Sequence, residues 1–65
     1  MVEPRVLRTP EAAEYVGLSK ATLNRFRRLG VGPRWFHVGG VSIGYDRADL
    51  DAWLDEQRRA PLEEG

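Results

Sequence analysis

The sequence predicts a mainly α-helical domain with one two-stranded β-hairpin, in the order helix, tight turn, helix, hairpin, helix. Apolar residues recur at helical spacing in three segments, and a glycine follows each of the first two. A Gly-Gly pair separates two short segments of alternating pattern, which is typical of a hairpin. A chain of 65 residues has room for one domain. We expect residues 1–65 to form it, with a core over about 6–59 and a mobile tail at 60–65.

The first helix is predicted to begin at Thr9 and to end at Gly17. Thr9 can cap the helix, and Pro10 suits the first helical position. Gly17 ends it because glycine adopts the left-handed conformation at low cost. The buried stripe of this helix is predicted to comprise Ala12, Ala13 and Val16. Residues 6–7, just before it, could form a short strand.

The second helix follows after a very short connection. One residue, Leu18, separates Gly17 from Ser19, which can cap a helix over residues 20–29. Gly30 is predicted to end this helix. Its predicted apolar face comprises Leu23, Phe26 and Leu29.

The hairpin and the last helix complete the predicted fold. Residues 34–38 and 41–45 are predicted strands on either side of a Gly39-Gly40 turn. The side chains predicted to point inward from these strands are Phe36, Val38, Val41, Ile43 and Tyr45, and those predicted to point outward are Trp35 and His37. Asp46 can cap the last helix, and Asp49 follows in a capping-box-like place. The apolar stripe of this helix comprises Leu50, Trp53 and Leu54, and its last turn carries Arg58 and Arg59.

Charge is segregated along the chain although the formal net charge is zero. Residues 17–37 hold five Lys and Arg residues and no acid, which gives +5. Residues 46–65 hold three Arg residues and seven acids, which gives −4. A neutral chain with one basic segment indicates a local polyanion-binding face. Attraction between the two segments within one molecule is the alternative.

The tight turn favours nucleic-acid binding. Two helices joined in this way form either a plain helical corner or a DNA-binding helix-turn-helix. Ala13, four residues before Gly17, allows close approach of the helices and favours the second interpretation. On a helical projection of about 100° per residue, polar and basic residues lie opposite the apolar face. Such a helix can read base edges and hold phosphates, whereas a merely solvated Arg-rich face is the alternative. The predicted DNA-binding residues here are Ser19, Lys20, Ala21, Asn24, Arg25, Arg27 and Arg28.

Residues 7–54 resemble the small winged helix-turn-helix proteins of the AlpA and excisionase group, which are related to the DNA-binding domain of MerR-type regulators. The resemblance is carried by the segments TPEAAEYVGLS, TLNRFRRLG, GP before the hairpin, VGG at its tip and YDRADLDAWL at the end. Some members bind beside attachment sites and direct an integrase toward excision; others act on promoters. The resemblance implies that the second helix lies in the major groove and that the hairpin is a wing.

The wing departs from the pattern of this group. Its members usually carry basic residues just after the glycines, whereas this sequence has Val41-Ser42 there and Gly44 where a cation is common. The wing residues that remain as candidates for DNA contact are Arg34, His37, Gly39, Gly40 and Ser42. We therefore expect the wing to contribute less affinity than the helix. Alternatively, Val41 is an apolar wedge against a minor-groove sugar.

These observations predict a sequence-specific double-stranded-DNA-binding protein. The first expectation is an excisionase-like recombination directionality factor that binds cooperatively near attachment sites and promotes excision by an integrase of the tyrosine recombinase type. The alternatives are an AlpA-like transcriptional regulator of a prophage or mobile element, and a protein-interaction module that has lost DNA binding. The segregated charge is compatible with head-to-tail self-association on DNA, and a soluble helix face with an Asp55–Arg59 pair is the alternative. Trp35 is predicted to be either a packing residue or an interface anchor.

Other function classes are not predicted. There is no cysteine and one histidine, so we expect no metal site and no cofactor. Ser19 and Ser42 have no orienting carboxylate at a recognisable spacing, so we expect no enzyme activity. No signal-peptide or membrane-spanning pattern is present, and a cytoplasmic location in a bacterium or phage-infected cell is expected.

Overall fold

The structure is a computed structural model that describes residues 4–59, and these form three helices and three short strands. In chain order the elements are β1 (Val6–Leu7), α1 (Thr9–Val16), α2 (Lys20–Leu29), β2 (Phe36–Val38), β3 (Ser42–Asp46) and α3 (Arg47–Arg59). The predicted fold class is therefore confirmed: a helix-turn-helix, a hairpin wing and a C-terminal helix. The tail predicted at 60–65 lies outside the described residues.

The sheet has three strands, whereas the sequence predicted a two-stranded hairpin. β1 pairs antiparallel with β3, with Val6 opposite Asp46 and Leu7 opposite Tyr45, so the strand order is β1-β3-β2. The side chain of Arg5 donates to the carboxylate of Asp46 over 2.9 Å. These contacts place the N-terminal segment against the start of α3.

Both helices of the helix-turn-helix end in the same backbone motif. Gly17 adopts a φ of 82°. Its N–H donates to the carbonyl of Glu14 over 3.2 Å, and the N–H of Leu18 donates to the carbonyl of Ala13 over 2.8 Å. This pair of bonds is a Schellman motif. The same arrangement recurs after α2, where Gly30 has a φ of 77°. The two glycines thus end α1 and α2 where the sequence predicts.

The start of α3 agrees with the prediction, whereas the start of α1 differs from it by one residue. The Oδ1 atom of Asp46 accepts the N–H of Ala48 over 2.9 Å, as expected of a cap. Thr9, predicted as the cap of α1, is instead its first residue. Arg8 occupies the cap position because its carbonyl accepts the N–H of Ala12 over 2.8 Å, and its side chain makes no capping bond.

The core lies between the three helices and one face of the sheet. Its buried residues are Ala12, Ala13, Leu23, Tyr45 and Leu50, with Leu7, Val16, Leu18 and Ile43 packed around them. Trp53 and Leu54 of the predicted α3 stripe are half-buried. Leu29 was predicted to lie on the apolar face of α2, but it is 67% exposed. It lies about 120° around the helix from Leu23, beyond the reach of α1.

The two faces of the hairpin also differ from the prediction. Phe36 lies opposite Gly44, and His37 lies opposite Ile43. Directly opposed residues share a face, so Phe36 lies on the same face as Gly44. Tyr45 follows Gly44 and lies on the other face, which is the face that meets the helices. Phe36 is therefore 41% exposed. His37 is on the helix-side face, not the outer one, although it remains exposed. The inward orientation predicted for Val41 is wrong, because it belongs to the turn before β3 and is 83% exposed.

Gly44 lets two side chains meet over the central strand. An added Cβ would lie 2.8 Å from Cγ1 of Val6 and would overlap Cγ2 of Val38. Real Cβ atoms do not approach other atoms so closely, so a longer side chain cannot be accommodated without movement of the sheet. A cationic side chain at this position is therefore incompatible with the present packing.

The Gly44→Ala variant is expected to lose about 1–3 kcal/mol of unfolding free energy, the usual cost of overpacking. Urea unfolding followed by circular dichroism measures this loss. The double variant Val38→Ala, Gly44→Ala removes the overlapping methyl groups and should be more stable than the sum of the two single changes predicts. Strict additivity of the two changes would contradict this account of Gly44.

Candidate nucleic-acid interface

The start of α2 is fixed by Ser19. Its Oγ atom accepts the N–H of Thr22 over 3.1 Å, and its hydroxyl donates to Oγ1 of Thr22 over 2.9 Å. Ser19 is therefore the cap that the sequence predicted. The first N–H groups of a helix have no acceptor within the helix, so the exposed start of α2 can face an anion such as a phosphate.

A set of exposed cations lies along α2, and we call it the basic face. It comprises Lys20, Arg25 and Arg28. Ala21, also exposed, contributes a small side chain near the start of the helix. Leu23 is 1% exposed and packs against α1, so the helix is held by its apolar side while the basic face meets solvent. This is the disposition a recognition helix requires, with short side chains toward bases and cations toward phosphates.

Arg27 differs from the other cations of α2 because it is half-buried and has three partners. Its Nη1 donates to the hydroxyl of Tyr45 over 2.9 Å, and its Nη2 donates to Oδ1 of Asn24 over 2.7 Å. Its guanidinium carbon lies 5.8 Å from the centre of the Trp35 ring, within cation–π range. Arg27 thus connects α2 to β3 and to the segment that leads into β2. We call Arg27, Asn24, Tyr45 and Trp35 the Arg27 cluster.

Sequence reasoning missed part of this cluster. The Asn24–Arg27 pair has the i, i+3 spacing that allows side chains on one helix to meet, so that pair could have been predicted. Tyr45 is 18 residues from Arg27. Nothing local to either residue reveals the hydrogen bond between them.

The wing tip is exposed and carries no cation. Gly39 and Gly40 have φ angles of 66° and 91°, as expected for the predicted turn, and Val41 completes a three-residue connection. The ring of His37 meets that of Trp35 edge-on, with 5.2 Å between their centres. The remaining wing candidates are Arg34, which is exposed before β2, and Ser42, which is half-buried at the start of β3.

Exposed acidic side chains lie on the other two helices, with Glu11 and Glu14 on α1. Asp51, Asp55 and Glu56 are exposed on α3, whereas α2 has no acid. Asp51 accepts a hydrogen bond from the hydroxyl of Tyr15 over 2.7 Å, which joins α3 to α1. The charge segregation seen in the sequence therefore persists as basic and acidic surfaces on separate helices.

Comparison with known proteins agrees with this geometry. A family model for a helix-turn-helix domain matches residues 6–58. The chain belongs to this family. It is the family of the small AlpA- and excisionase-like helix-turn-helix proteins, so the resemblance is confirmed at this level and the domain is a DNA-binding helix-turn-helix. The relation to MerR-type regulators stays a prediction. No curated protein matches the chain.

Residues 4–59 hold neither a metal-ligand cluster nor a membrane-spanning helix. No three His, Asp or Glu side chains in this range are grouped so that they could hold a metal ion. None of the helices described there is long and apolar enough to span a membrane.

Proposed function

We propose that the protein binds double-stranded DNA sequence-specifically and acts as an excisionase-like recombination directionality factor. In this role it binds cooperatively near attachment sites and promotes excision by an integrase. The observation that carries the proposal is the exposed basic face of α2, presented by a helix-turn-helix of the matched family. The resemblance of residues 7–54 to the AlpA and excisionase group supports the more specific role in excision.

In the proposed complex, α2 lies in the major groove. Ala21, near the start of the helix, lies close to base edges, while the exposed cations Lys20, Arg25 and Arg28 hold phosphates. The hairpin follows the adjacent backbone through Arg34 and the amides of its glycine turn. The affinity then depends mainly on α2, because the tip of the wing is uncharged.

Cooperative assembly follows from the size and the charges of the domain. A single small module buries little DNA surface, so useful affinity requires several copies on one duplex. The exposed acids of α3 can face the exposed cations of a neighbouring copy. A contact between two different surfaces is heterologous and can continue along DNA. The same acidic surface is available to an integrase.

The test is fluorescence anisotropy on labelled duplexes across a salt series. If Lys20, Arg25 and Arg28 each neutralise one phosphate, log Kd against log salt concentration should have a slope magnitude of about 2.7, or about 3.6 if Arg34 also does so. Duplexes of about 15 and 45 bp, for one and several copies, should give hyperbolic and sigmoidal isotherms respectively.

The outcomes separate the three candidate functions. A sigmoidal isotherm on the longer duplex supports the directionality factor. Hyperbolic binding on both duplexes, with one strongly preferred sequence, would favour the transcriptional regulator. Absence of binding even at low salt would overturn DNA binding and leave the protein-interaction module.

A further inference from the structure

We propose that Arg27 is a positioning residue that turns the amide of Asn24, so that its NH2 group faces DNA and its oxygen does not. Asn24 then donates to purine acceptors and does not favour adenine over guanine. This inference rests on the proposed function, because it concerns how α2 reads its site.

The chemistry of the pair fixes the orientation of the amide. Arginine has five N–H donors and no acceptor, so the amide atom that faces Arg27 at 2.7 Å must be the oxygen. The NH2 group of Asn24 therefore lies on the opposite side of the Cγ atom, directed away from Arg27. Because the bond involves a charged donor, it is stronger than a neutral hydrogen bond and resists rotation of the amide.

Arg27 is itself held from two further sides. Tyr45, whose hydroxyl accepts the second hydrogen bond, is 1% exposed and belongs to the core. The ring of Trp35 lies against the guanidinium. Two of the N–H donors of Arg27 are used within the protein and the residue is half-buried, whereas Arg25 and Arg28 are exposed. Arg27 therefore acts on DNA through Asn24, while the exposed Arg25 and Arg28 contact phosphates.

This orientation changes the code that asparagine normally reads. In the major groove adenine presents an acceptor at N7 and a donor at N6, whereas guanine presents acceptors at N7 and O6. A free asparagine pairs with adenine through both of its amide groups. Asn24, with its oxygen turned toward Arg27, presents its NH2 group to the base. The NH2 group can bond to N7 of either purine and to O6 of guanine, and it gains nothing from N6 of adenine.

The experiment begins with a preferred duplex selected from a random pool. The position read by Asn24 is the one at which the Asn24→Ala variant loses its preference. At that position the wild-type protein should prefer the adenine duplex over the guanine duplex by no more than about threefold, and 7-deazapurine substitution should weaken both. A preference for adenine of about tenfold or more would show that Oδ1 accepts from N6. That result, or an Asn24→Ala variant with unchanged preference everywhere, overturns the proposal.

The Arg27→Met variant tests the role of the arginine. It frees Oδ1 of Asn24, so adenine should become preferred over guanine by about fivefold or more. Its salt slope should stay at the wild-type value because no phosphate contact is lost. The matched variant Arg28→Met should lower the slope by about 0.9 and leave the adenine-to-guanine ratio unchanged. If Arg27→Met lowered the salt slope as much as Arg28→Met does, the proposal would be overturned.

Two further measurements cover the cases in which Arg27→Met fails to fold or the protein fails to bind DNA. Tyr45→Phe keeps the ring in the core and removes one anchor of Arg27, so it should shift the adenine-to-guanine ratio in the same direction. NMR of the DNA-free protein should show hindered, ring-shifted guanidinium protons for Arg27 and averaged ones for Arg28. Equal averaging at both residues would overturn the positioning role. Failure of binding with the hindered signals present would overturn only the proposed function.

Discussion

Replacement of Leu23 by alanine is expected to lower the unfolding free energy of the domain by about 2–5 kcal/mol. Leu23 is 1% exposed and is the residue of α2 that packs into the core beside Ala12, Ala13, Tyr45 and Leu50. Loss of a buried leucine side chain costs about 2–5 kcal/mol. At about 0.05–0.15 kcal/mol per residue, a chain of this length has about 3–10 kcal/mol of unfolding free energy in all. The single substitution therefore removes much of the stability of the domain.

The matched control is Leu29→Ala, which makes the same chemical change on the same helix. Leu29 is 67% exposed, so we expect its truncation to change the unfolding free energy by no more than about 0.5 kcal/mol. Urea unfolding followed by circular dichroism measures both variants. A loss for Leu29→Ala as large as that for Leu23→Ala would contradict the observed packing of α2, and it would support the helical face that the sequence pattern predicted.

The ends of the helices could be predicted from the sequence because they depend on neighbouring residues. Gly17 and Gly30 end α1 and α2 through the left-handed backbone that glycine adopts readily. Ser19 and Asp46 begin α2 and α3 through bonds to N–H groups two or three residues along the chain. The mainly α order with a hairpin follows from these local signals and from apolar spacing.

Features that depend on distant residues could not be predicted in this way. The register of β2 against β3 decides that Tyr45 points to the helices and Phe36 does not, and alternation alone gives no register. β1 pairs with β3, which lies about forty residues further along the chain. A strand of only two residues carries too little pattern to indicate its partner.

The candidate site also combines features that depend on neighbouring residues with features that depend on distant ones. The exposure of Lys20, Arg25 and Arg28 follows from their helical positions and agrees with the face predicted for α2. Arg27 has a similar sequence context, yet its partners come from the start and the end of the hairpin. Whether Arg25 and Arg28 contact phosphates and Asn24 reads a base stays a prediction.

Arg28→Glu is expected to remove measurable binding to every duplex. Arg28 is exposed on the basic face, so glutamate would place a negative charge opposite a phosphate in a site that previously held a cation. Residues 39–41, at the tip of the wing, include no cation that could compensate for the lost phosphate contact. We expect affinity at low salt to fall by about 100-fold or more, which corresponds to about 2.7 kcal/mol or more of binding free energy. Anisotropy titrations on random and preferred duplexes measure the loss.

Arg58→Glu is the control that separates a local contact from a general effect of charge. Arg28 and Arg58 are both exposed and lie in the last turns of α2 and α3. Both variants therefore change the net charge by −2 and lose the same favourable interaction with a helix C-terminus. Only Arg28 belongs to the basic face, so Arg58→Glu should keep affinity within about threefold of wild type, with some loss from the altered net charge. Equal losses in the two variants would mean that net charge governs binding and that α2 has no special place in the interface.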